Sequence, residues 1–112
     1  MQKSYVLVET EGPFKSSLKG LKLALELAKQ GYPVKLWFMQ DAIQLFQVNK
    51  QERSELLQEC VKHPEIQCFV DLFALKQRGL HRDRFTDSEI QIADEHLFTT
   101  HLMQRSVTPI WH

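Results

Sequence analysis

Apolar and polar positions along the chain change period several times, and each change marks an element. Residues 4 to 10, SYVLVET, are dense in β-branched and aromatic side chains and stop at Glu11-Gly12-Pro13, which predicts a first strand ended by a turn. From Phe14, apolar residues recur at Leu18, Leu21, Leu25 and Ala28, widened by Leu23, Ala24 and Leu27. That spacing predicts a helix stopped by Gly31. YPVKLWFM (32 to 39) predicts a second strand, after which Asp41 opens a short apolar segment, AIQLF. ERSELLQECVK (52 to 62) predicts a helix with Leu56 and Cys60 inward, with Leu57 and Val61 as further inward positions, ended by His63-Pro64.

A third strand is predicted from Ile66 to about Val70, then a short helix carrying Leu72, Phe73 and Leu75 up to Arg78-Gly79. HRDRFTDS is polar and turn-like. EIQIA (89 to 93) predicts a fourth strand, Asp94 can cap a helix through Leu97, Phe98, His101 and Leu102, and VTPIWH supplies a fifth strand. Alternating strands and helices on short connections imply an α/β fold: a small three-layer sandwich with a mostly parallel sheet of about five strands. In such sheets, sites gather beyond the carboxyl ends of the strands. Those ends fall at Glu9 to Phe14, Met39 to Asp41, Asp71 to Phe73, and after Ala93.

Composition narrows the function more than the fold. With 112 residues, 43% hydrophobic and 25% charged, a single domain over 1–112 is expected. Fourteen Lys and Arg balance fourteen Asp and Glu, so no net field favours nucleic acid or an anionic membrane. The N-terminal apolar run is too short for a signal peptide and no stretch is long enough for a membrane span, so a cytoplasmic protein is expected. Cys60 and Cys68 have no zinc-like spacing and should remain thiols in a reducing compartment. His96 and His101 are five apart, about 140° around a helix, which is not a metal-binding pair. The five histidines (His63, His81, His96, His101, His112) are read as solvated or interfacial, and no metal or cofactor is expected.

VLVETEGPFKSSLKGLKLALELAKQGYPVKLWFMQDAIQLF, followed by a strand, a short helix and QRGL, resembles the DsrE/DsrF-like family, which includes the TusD, TusC and TusB sulfur-relay subunits. The resemblance implies a flavodoxin-like parallel sheet, a cytoplasmic setting, and association into trimers or hexamers, as homo-oligomers or with paralogous subunits. It also implies sulfur-relay proteins as partners. Catalytic members carry persulfide on a cysteine near the end of strand three. Counting back from Arg78-Gly79 places Asp71, not Cys68, at that position.

Sulfur relay needs a thiolate to attack a persulfide donor. Ile66, Cys68 and Val70 share one face of an extended strand, so Cys68 has apolar neighbours and is read as a core thiol. Asp71 is read as a helix N-cap. These readings favour a non-catalytic structural or partner-binding subunit, with Glu11, Gly12, Phe14, Gln40, Asp41, Asp71 and Phe73 as binding candidates. The alternative is an active sulfurtransferase with persulfide on Cys68, activated by Arg78, His81 or Arg82. A second alternative, a flavin or small-anion binder using the Thr10 to Ser17 loop, is weakened because Pro13 removes an N–H donor and Glu11 repels anions. The aromatics Trp37, Phe38, Phe46, Phe69, Phe73, Phe98 and Trp111 are numerous for a sheet of this size, and some are expected at subunit contacts.

Overall fold

A computed structural model describes residues 3–10, 15–46, 55–79, 90–104 and 107–111. The elements follow the predicted order: β1 (Ser4–Glu9), α1 (Lys15–Lys29), β2 (Val34–Phe38), a 3-10 segment (Gln40–Phe46), α2 (Glu55–Lys62), β3 (Ile66–Asp71), α3 (Leu72–Gln77), β4 (Ile90–Ala93), α4 (Glu95–Leu102) and β5 (Val107–Trp111). The five strands form one sheet in the order β4-β3-β2-β1-β5, and every neighbouring pair is parallel. Parallel strands joined through helices make right-handed crossovers. Three successive steps from β1 to β4 travel one way along the sheet and place α1, α2 and α3 on one face. The return from β4 to β5 runs the other way and places α4 opposite.

Each face has its own core. Leu7, Val34, Leu36, Phe38, Ile66, Cys68 and Val70 face Leu21, Ala24 and Leu25 of α1, Leu57, Cys60 and Val61 of α2, and Ala74 and Leu75 of α3. Across the sheet, Val6, Val8, Trp37 and Phe69 gather around Phe98 of α4, flanked by Leu97, Leu102 and Val107. The inner strands are therefore covered twice, which explains why SYVLVE, VKLWF and IQCFV carry apolar residues at consecutive positions rather than in strict alternation. The edge strands carry the partly exposed residues. β5 also accommodates Pro109, in register with Val6, as an edge strand can.

Several boundaries and faces differ from expectation. The second strand is two residues shorter at its start because the end of α1 uses Tyr32: Tyr32 N–H donates to Leu27 O (3.1 Å) and Gly31 N–H to Ala28 O (3.0 Å), with Gly31 at φ 91°. This is the reciprocal pair of bonds of a Schellman cap, which favours glycine at the left-handed position. The strand ends at Phe38 because Gln40 turns to φ 51°. In α2 the buried residues are Leu57, Cys60 and Val61, with Leu56 only partly covered; the i, i+3, i+4 stripe starts one position later than the first inward residue expected. Phe73, one of the binding candidates, is 66% exposed.

Among the histidines, His96 is exposed, but His101 is 6% exposed, a correction to the reading of all five as solvated or interfacial. It lies on the same face of α4 as Phe98 and meets Trp37 and Phe69 edge-on. His81 and His112 lie outside the described residues. Trp37, Phe38, Phe69 and Phe98 are core residues, whereas Trp111 joins Phe73 among the exposed large apolar side chains.

Gly31→Ala is expected to lower stability by about 1 kcal/mol through backbone strain, since nothing within 4 Å would meet an added Cβ. A urea midpoint shift at constant m-value would measure it; an unchanged midpoint would place the stop of α1 elsewhere.

Candidate functional site

The carboxyl edge of the sheet brings together residues distant in sequence. Met39 N–H donates to Glu9 O (2.9 Å), holding the exit of β2 beside the end of β1, and Ala42 N–H donates to Met39 O (3.0 Å) as the 3-10 segment begins. Between them Gln40 has a left-handed backbone that costs a non-glycine residue of order 1 kcal/mol, the kind of local strain that concentrates at functional positions. Asp41, 64% exposed at its side chain, meets the guanidinium of Arg78 at 2.5 Å. Arg78 is the C-cap of α3, so this ion pair ties the loop after β2 to the helix after β3. Its exposure limits the pair to roughly 0–1 kcal/mol; its effect is to fix where the two side chains point.

Asp71 ends β3 and is buried at 6% exposure. Its Oδ2 accepts from Ala74 N–H at 3.0 Å, the N-cap geometry, with an extended backbone at φ −69°, ψ 122°. The capped helix starts at Leu72 because this carboxylate satisfies an amide that the first turn leaves without a helical partner. Phe73, in that first turn, faces outward. Gln40, Asp41, Asp71, Phe73 and Arg78 thus share one rim; Glu11, Gly12 and Phe14, the remaining binding candidates, lie outside the described residues, as do His81 and Arg82.

Two cysteines occupy different parts of the interior. Cys68, 1% exposed, stands in register with Leu36 and Ile90 and belongs to the core beneath α1 and α2. It lies three residues, about 10 Å of strand, before the carboxyl edge. Cys60 is fully buried, and its Sγ donates to Leu21 O at 3.5 Å. Burial, reinforced by the charge of Glu59, pushes its thiol pKa up to about 12, so it holds its proton at neutral pH and is a poor nucleophile. Neither cysteine is in a disulfide.

Sequence reasoning did not single out Glu9, which is completely buried at the end of β1. The signal was present: Glu9 falls on the same side of the strand as Leu7, an inward position, and a carboxylate is retained there only in polar company. Beyond this rim, a groove of 470 Å³ runs between α1 and α2, lined by Leu25, Lys29, Glu55, Gln58, Glu59, Lys62 and His63, with both charge signs on its walls. Among the described residues no cluster of three or more His, Cys, Asp or Glu could hold a metal, and no helix is long and apolar enough to cross a membrane.

Among the described residues the edge therefore offers carboxylates, one arginine and an exposed aromatic ring, while both thiols are enclosed. No curated protein matches the chain. Among solved structures, the crystal structure of the YchN protein from E. coli superposes with a TM-score of 0.78 over 100% of each chain, at 19% identity, which shows a shared fold. The DsrE/DsrF-like family model matches residues 3–104, spanning β1 through the end of α4, and on that match the chain belongs to the DsrE/DsrF-like family.

Proposed function

We propose that this chain is a non-catalytic, partner-binding subunit of a family related to sulfur-relay proteins, and that it carries no persulfide of its own. The observation that supports this most directly is the division between Cys68 and Asp71. The position that the family resemblance gives to the reactive cysteine, counted back from Arg78-Gly79, holds a carboxylate engaged in capping α3, and the nearest thiol along the strand is enclosed in an apolar core. A persulfide at the rim would meet Asp71 as a like charge, which disfavours it. A persulfide on Cys68 would need space in a core where Cys68 is 1% exposed, and added volume in such packing is costly.

Partner binding draws on a different part of the surface. Phe73, Met103 and Trp111 are 66%, 79% and 61% exposed, and large apolar and sulfur-containing side chains are enriched at interface centres. Phe73 stands in the first turn of α3 at the carboxyl rim, and the Asp41–Arg78 pair adds charged groups between the loop after β2 and the end of α3. We place the docking of sulfur-relay proteins or paralogous subunits there. The same exposed residues agree with self-association into a trimer or hexamer.

Intact mass of the reduced protein before and after incubation with a persulfide donor tests the absence of a carrier. No species one sulfur atom heavier is expected under conditions that load a known carrier. A reductant-sensitive adduct that persists in Cys60→Ser and disappears in Cys68→Ser would establish an active sulfurtransferase instead. Asp71→Ala is expected to cost about 1 kcal/mol, typical for a lost N-cap, while Asp71→Asn keeps most of the stability. Thermal unfolding of the two variants compares them; equal losses would mean that charge, rather than capping, is what Asp71 supplies to the fold.

A further inference from the structure

The face of the sheet covered by α4 is built around a buried histidine that the carboxyl-edge site does not use. Trp37 Nε1–H donates to His101 Nδ1 at 3.1 Å, with both side chains buried. The imidazole must therefore be neutral at Nδ1, which places its proton on Nε2. The rings enclose it: Trp37 stacks on Phe69 with centroids 4.8 Å apart, Phe98 meets Trp37 edge-on at 5.0 Å, and the His101 ring lies 4.9 Å from Phe69 and 5.5 Å from Trp37. A second polar tie joins the same strand to the segment just after α4, where Lys35 Nζ donates to Gln104 Oε1 at 3.0 Å.

We propose that α4 is an acid-released cover: protonation of His101 breaks its hydrogen bond with Trp37 and lifts α4 from the sheet, uncovering the apolar face formed by Val6, Val8, Trp37 and Phe69. Protonation adds a proton at Nδ1, so two N–H donors then point at each other where one donor met one acceptor. It also puts a positive charge among apolar rings. The residues of β1 and β3 gathered there, Val6, Val8 and Phe69, are uncharged. From β2 the charged group is Lys35, which repels the cation. On α4 itself, Asp94 and Glu95 sit at the far, amino-terminal end, and the carboxyl-terminal dipole of the helix favours a cation near His101.

Burial first and Lys35 second outweigh that dipole, and together they hold the His101 pKa below its ordinary value of 6.5. A base whose pKa is lowered in the folded state supplies stability that is complete above the ordinary value. That stability is lost as pH falls through 6.5 toward the folded-state pKa. The cover is thus closed at neutral pH and opens in mild acid. Its release is local because α1, α2 and α3 hold the opposite face through a separate core, and α4 is the one helix among the described residues on its side.

The test is a pH titration of the isotope-labelled full chain by NMR from about pH 7.5 to about pH 5, above the ordinary range of carboxylate titration. The Trp37 indole N–H signal is expected to shift and to begin exchanging with water as the His101 ring titrates, with a midpoint below 6.5. Amides of β2 and β3 bonded within the sheet should stay protected. Lys35→Gln should move the midpoint upward, and His101→Gln, which keeps an acceptor for the indole but does not titrate, should flatten the response. An indole signal unchanged through the titration of His101, or loss of all sheet amides at the same pH as the indole, would overturn the proposal. These wild-type readings decide it even if a variant fails to fold.

Discussion

The handedness of parallel crossovers is the constraint from which the rest of this structure follows. With every strand parallel, each connection must carry the chain back across a face of the sheet, and right-handed crossovers leave no choice of face once the direction of travel is set. Three steps one way and one return divide the described helices three to one. That division makes two cores of unequal size: a broad one under α1, α2 and α3, and a narrow aromatic one under α4.

The unequal cores give the two faces different characters. On the broad face, Cys60 and Cys68 are packed as small apolar side chains among Leu, Val and Ile, enclosed from solvent. On the narrow face, one eight-residue helix has little aliphatic surface to contribute, and aromatic rings with one indole-to-imidazole hydrogen bond complete the packing. Removing either partner of a buried polar pair leaves the other unsatisfied, at a cost of about 1–3 kcal/mol. The smaller core is thus more dependent on a single protonation state.

Parallel strands also bring all their carboxyl ends to one rim. Glu9, Asp41, Asp71 and Arg78 converge there although they are spread over nearly seventy positions of the chain. Among the described residues the rim has the geometry of a site and carries carboxylates and a guanidinium rather than a thiol. The chain belongs to a family related to sulfur relay, and on β3 it carries a buried thiol at Cys68 and a capping carboxylate at Asp71.

The sequence by itself determined the order and type of the elements, because hydrophobic period, Gly31, Asp71 and Asp94 are local signals: each records a face, a stop or a cap within a few residues of itself. It also placed Cys68 on the same strand face as Ile66 and Val70, since the strand period is two. Only the tertiary structure decided the burial of His101, whose polarity predicts solvent and whose partner Trp37 lies 64 positions away. The same holds for the pairing of Asp41 with Arg78 and the outward turn of Phe73. These depend on which helix lies over which strand, and that is fixed by strand order, a long-range property that no local window of residues contains.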